Sequence, residues 1–131
     1  MMNALKQRLA DCRPLAETLC NALRTETAKL GFGTNDLPAA DAGTAAYRLE
    51  SDPASGSESL LGEWHDRHGY RIGMLLFHGD GSFFAEHDIA KPHPTDPSLF
   101  VEAIEAWGRD NQLCCEPRLL SMIEDADQPT D

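Results

Sequence analysis

No apolar run in this 131-residue chain approaches the ~20 residues that a membrane-crossing helix requires. The first residues, Met1-Met2-Asn3-Ala4-Leu5-Lys6-Gln7-Arg8, contain no apolar h-region, so no signal peptide is expected and the protein is read as cytoplasmic. Basic residues are scarce. There are 11 Lys and Arg against 22 Asp and Glu, a formal net charge of −11. Those present gather early: Lys6, Arg8, Arg13, Arg24 and Lys29 against Asp11, Glu17 and Glu26 give residues 1–30 a net +2 and leave −13 for the rest. Nucleic acid needs clustered Lys and Arg, and anionic membranes attract polybasic segments, so neither is expected as a partner. A basic partner, or solubility alone, is compatible with the balance.

No Cys-x-x-Cys pair occurs among Cys12, Cys20, Cys114 and Cys115, which removes the zinc-ribbon and thioredoxin readings. Adjacent residues on a strand point to opposite faces, so Cys114 and Cys115 cannot chelate one ion without a turn. All four are read as free thiols, mostly buried as small hydrophobes. Gly-x-Ser-x-Gly, a phosphate loop and a dinucleotide fingerprint are also absent, and Gly31-Phe32-Gly33 follows a helix, the wrong context for the last. No catalytic residue is assigned and no cofactor is expected.

What is present begins with the stretch from Tyr70 to Ile89. Two apolar runs are joined by Gly79-Asp80-Gly81, a strong hairpin signal. Strands are expected over Tyr70–His78 and Ser82–Ile89. Two registers are open. A three-residue loop pairs Met74 with Glu86 and Gly73 with His87; a two-residue loop pairs Met74 with His87. Ala45–Ser51 and Ser59–Asp66 read as earlier strands, and Asp66-Arg67-His68-Gly69 fits a type I turn. Residues 3–12 and 14–30 read as helix, either one kinked at Pro14 or two short ones.

Further on, Asp96 and Pro97 read as a helix N-cap and first turn. Leu99, Phe100, Ala103, Ile104 and Trp107 then form one apolar stripe, with Glu102 and Glu105 away from it and Gly108 as the stop. This predicts a second helix over about 97–107 that buries Phe100, Ile104 and Trp107. Leu113–Leu120 reads as a last strand, and Pro117 pushes it to a sheet edge. The order predicts an α+β two-layer sandwich: an antiparallel β-meander of four to five strands with both helices packed on it. Residues 1–123 are expected to form one domain. The acidic, apolar-poor segment 124–131 is expected to be disordered.

Five histidines fall within thirty residues: His65, His68, His78, His87 and His93. In neither register do His78 and His87 share an ion, because they are opposed in face or about 13 Å apart along the strand. His65, His68 and His93 flank connections that meet at one sheet edge, with Asp66 or Asp88 nearby. Three such ligands plus water match a catalytic zinc site in count; exposed turn histidines are the other reading. A further arrangement sets Glu63, Gly73 and His87 in one row, where the glycine either lets the carboxylate reach the imidazole or admits a packing element.

The central hairpin is apolar on both sides. Leu75 and Phe77 fall on one, and Ile72, Met74 and Leu76 on the other. A sheet with one wet face normally alternates apolar with polar. Both faces are therefore expected to be covered, and Ile72, Met74, Leu76 and Trp64 are the candidate interaction residues. In size, acidity and helix–sheet order the chain is similar to the small dimeric chaperones of bacterial secretion systems. The likeness lies in composition and architecture, and no site residue is carried over from it. The functional expectation is a non-catalytic, chaperone-like cytoplasmic interaction protein, a homodimer that uses sheet and helix surface to hold a partner, which is another protein or itself. A metal-binding protein or small metal-dependent enzyme built on the histidines is the alternative.

Overall fold

The computed structural model describes residues 3–122. The expected tail, 124–131, lies outside them. A single helix, α1 (Ala4–Leu30), precedes six strands: β1 (Ala46–Ser51), β2 (Glu58–His65), β3 (Arg71–Phe77), β4 (Ser82–Pro92), β5 (Leu99–Arg109) and β6 (Gln112–Ser121). The strands lie in chain order in one sheet, each antiparallel to the next. The architecture is α+β, with α1 laid across one face of a six-stranded meander.

Helix α1 starts where the Asn3 side chain accepts from the Lys6 amide at 2.8 Å. It passes through Pro14 unbroken and ends at Gly31, whose φ of 108° is open to glycine at little cost. Ala16, Leu19, Cys20, Leu23 and Thr27 repeat at helical spacing and are buried against the sheet. Beneath them lie Leu60, Trp64, Leu75, Phe77, Phe83, Ala85, Ile104 and Ala106. The connection from α1 to β1 closes the layer. Leu37, Ala40 and Ala42 enter the core, and the Trp64 indole N–H donates to the Asp41 carbonyl at 3.0 Å.

The second helix expected over 97–107 does not form; those residues are the turn before β5 and most of β5 itself. Two features imitate a helix. Asp96-Pro97-Ser98-Leu99 is a tight turn, in which the Leu99 amide donates to the Asp96 carbonyl at 3.1 Å and the Asp96 carboxylate accepts from the Ser98 amide at 3.0 Å. An Asp-Pro start suits such a turn as well as it suits a helix. The pairing also shifts between Val101 and Ala103, a β-bulge. Because β5 carries apolar side chains on both faces, residues 100, 103, 104 and 107 together match the spacing of a helix stripe although they do not share a face. Ile104 points into the core while Trp107 lies on the other side of the sheet, 38% exposed. The four or five strands expected thus become six.

The central hairpin takes the three-residue-loop register, with Met74 opposite Glu86 and Gly73 opposite His87. Pro117 lies in the edge strand β6. Strand β4 runs beyond its expected end, through Ala90 at φ 53° and on to Pro92.

Candidate interaction face

Antiparallel pairing carries alternate residues of every strand away from α1, onto a sheet face that no element among the described residues covers. The register aligns these side chains in rows. Leu61 is opposite Leu76, Leu76 opposite Phe84, Phe84 opposite Trp107, and Trp107 opposite Cys114. This apolar row crosses five strands, about 19 Å at the usual strand spacing. Leu61 is nearly covered by its neighbours, Leu76 and Phe84 are half-buried, and Trp107 and Cys114 are exposed.

One step along the strands lies an acidic row: Glu63, Met74, Glu86, Glu105 and Glu116 are opposed in succession. Like charges directly across a strand pair destabilise it, so the row needs cations. Arg118 supplies one, placing its guanidinium 2.9 Å from Glu102, 3.1 Å from Glu105 and 3.2 Å from Glu86. At the other side, Arg48 lies 2.8 Å and Arg71 3.5 Å from Glu63. The hydrogen bond from Arg48 holds the Glu63 carboxyl below its ordinary range, and Arg71 adds to it. Between β1 and β3 the face is hollowed into a shallow groove of about 430 Å³, with Leu61, Met74 and Leu76 among its lining and Arg48, Arg71, Glu50 and Asp52 around it.

Met74 and Leu76 are half-buried members of this open face; Ile72, at the bulge between β2 and β3, is also half-buried but packs against the core. Trp64 is on the opposite face, 1% exposed and beneath α1. Pairing decides this: Trp64 is opposite Gly73, and both lie on the side of Leu75 and Phe77. Reading the sequence missed Leu61, Phe84, Trp107 and Cys114. Phe84 was within reach, because alternation along β4 sets it against Phe83. Trp107 was hidden by the helix-like spacing around the bulge.

The row suggested for Glu63, Gly73 and His87 contains Trp64 in place of Glu63, because the register shifts between Trp64 and His65. A Cβ at position 73 would lie 2.6 Å from the Trp64 ring, so the glycine makes room for the indole. The Trp64 and His87 rings sit 5.8 Å apart, centre to centre. His87 is buried. Its Nδ1 lies 2.7 Å from the Asp88 carbonyl, and its Nε2 has no partner among the described residues. Burial pushes its pKa below 6.5, which keeps it neutral.

The three histidines put forward as metal ligands do not converge. His65 and His68 are exposed, and the nearest carboxylate to His65 is Glu63 at 3.9 Å. His93 Nδ1 accepts from the Thr95 and Asp96 amides, both at 3.2 Å, and so shapes the turn before β5. Among the described residues no three His, Cys, Asp or Glu side chains gather closely enough to hold a metal ion. The four cysteines are free thiols. Burial pushes Cys20 and Cys115 up to about 11, which makes poor nucleophiles of them at neutral pH. No described helix is long and apolar enough to cross a membrane.

Comparison of the chain with protein families, with characterised proteins and with solved structures finds no match.

Proposed function

We propose that this protein is a non-catalytic interaction module, chaperone-like in holding a protein partner against the open face of its sheet. The observation that supports this reading most is the apolar row Leu61–Leu76–Phe84–Trp107–Cys114, continuous across five strands and without a covering layer among the described residues. Tryptophan and phenylalanine are the side chains on which interfaces concentrate their binding energy. The neighbouring acidic row and the net charge of −11 favour a partner whose apolar docking surface is flanked by Lys or Arg. Such charge speeds encounter and discourages association of two like-charged copies, so the partner is read as another protein rather than a second copy.

The experiment compares the wild type with Phe84→Ser/Trp107→Ser, immobilised at equal density and exposed to native lysate at low and high salt. A partner held by the wild type, lost by the variant and weakened by salt supports the reading, provided both proteins melt at similar temperatures. Equal retention by both overturns it. Sedimentation velocity separates the remaining outcome: a wild-type dimer that the double substitution converts to monomer would make a second copy the occupant.

A further inference from the structure

The other side of the molecule holds a cavity of about 310 Å³ that the sheet-face reading does not use. It opens between the first half of α1 and the corner of β1 and β2. Leu9, Cys12, Arg13 and Ala16 supply the helix wall at helical spacing. Its floor is core: Ala16, Ala42, Leu60 and Phe77 are all nearly inaccessible. Its rim is exposed at Ala10, Arg13 and Gly43. The void exists because much of its lining is small, with Ala10, Ala16, Ala42, Gly43 and Ala45 where larger side chains would fill it. A dry apolar cavity of about 150 Å³ already takes up benzene, and small-molecule sites begin near 300 Å³.

The polar groups around the cavity differ in what they have left to give. The Tyr47 hydroxyl donates to the Ala42 carbonyl at 2.7 Å. Arg8, which does not line the cavity, donates from Nη2 to the Phe77 and His78 carbonyls at 3.4 and 3.2 Å, and its buried Nε has no partner among the described residues. Arg13 makes no hydrogen bond among the described residues. Its one ion pair, with Glu17 at 3.7 Å, joins two side chains that are each more than half exposed. Such a pair is weak and readily exchanged. Arg13 thus places free guanidinium donors at the mouth of an apolar pocket, within residues 1–30, whose net charge is +2.

We propose that this cavity binds a small amphiphilic monocarboxylate, its aliphatic body on the Leu60–Phe77 floor and its carboxylate on the Arg13 guanidinium at the rim. Arg13 and a carboxylate match in geometry as well as charge. A dianion such as a phosphate monoester is disfavoured, because Glu17 pairs with Arg13 and the Asp41 carboxylate lies at Gly43 on the same rim. The proposal does not depend on the sheet-face reading, since the two sites lie on opposite sides of the sheet.

The test uses octanoate as the probe, with octanol and octyl phosphate as its neutral and dianionic counterparts. Binding is followed by amide chemical shifts. Thiol labelling of Cys12 in a Cys114→Ser background, which removes the exposed competing thiol, gives an independent readout. Octanoate is expected to bind saturably, to shift residues 9–16 and 42–47, and to slow Cys12 labelling. Ala10→Leu, at an exposed helix position on the rim, should abolish both effects, and Ala45→Leu serves as a second filling variant. Arg13→Gln should weaken octanoate at least about fivefold and leave octanol unchanged. Absence of saturable binding, or binding by both folded filling variants as tight as by the wild type, overturns the site. Equal affinity for octanoate and octanol, or tighter octyl phosphate, overturns the carboxylate assignment.

Discussion

The two faces of the sheet carry similar side chains and meet different fates. On one, Leu60, Trp64, Leu75 and Phe83 are sealed under α1 and the loop that follows it. On the other, Leu61, Leu76, Phe84 and Trp107 form a row of comparable size in which Leu61 is nearly covered by its neighbours and the other three stay partly wet. Apolarity alone does not decide burial. Alternation assigns a residue to a face, and a face becomes core only where another element has the length and the apolar stripe to cover it. Helix α1 is the one α-helix among the described residues, so one face is satisfied and the other is left with its apolar row beside its glutamates.

The largest effect should separate the two tryptophans. Trp64→Ala removes a fully buried ring and the hydrogen bond to the Asp41 carbonyl, and should cost about 3–5 kcal/mol in a urea titration. Trp107→Ala, on the open face, should cost about 1 kcal/mol or less. Equal losses would mean that the open face is core in solution, covered by a second copy or by residues outside those described.

A smaller effect is expected at Gly73. A Cβ there would stand 2.6 Å from the Trp64 ring and 2.7 Å from the Glu86 carbonyl. Gly73→Ala should cost about 1–3 kcal/mol through overpacking, visible as a lowered denaturation midpoint with an unchanged slope. A neutral substitution would show that the ring is free to move away.

The covered face should also carry pH dependence. His87 is held neutral by burial, with its pKa below 6.5, so in that interval the unfolded chain binds a proton that the folded chain does not. Stability should therefore fall as pH drops below about 6.5, and His87→Leu should flatten that limb. If the slope between about pH 7 and pH 5 is the same in both proteins, the limb belongs to other groups.

The smallest effect belongs to the open face. Arg118 bridges Glu86, Glu102 and Glu105, but its side chain is still 41% exposed. Arg118→Met should cost less than about 1 kcal/mol, and the loss should shrink as salt screens the glutamates. A larger loss, independent of salt, would mark Arg118 as a packing residue.

The central hairpin was legible because Gly79-Asp80-Gly81 between apolar runs is a local signal, and the N-terminal helix because its apolar residues keep one period for several turns. Met74 and Leu76 could be set on a shared face by alternation alone, as could Leu75 and Phe77 on the other, whereas Ile72 at the bulge packs against the core. What alternation does not contain is phase across a bulge. Without the shift after Trp64, that residue's row on Gly73 and His87 could not be known; without the shift at Val101–Ala103, β5 reads as a helix and Trp107 as core. Outside β5, the local chain therefore determined where the strands and turns form, since φ, ψ preferences and side-chain period act within a few residues. Tertiary structure alone decided which apolar face α1 covers, which rows cross the open sheet, and where Leu60, Phe77 and Arg13 come together around a cavity. Those depend on the bulges that shift register between successive strands and on the packing of α1, distant in sequence, across the finished sheet.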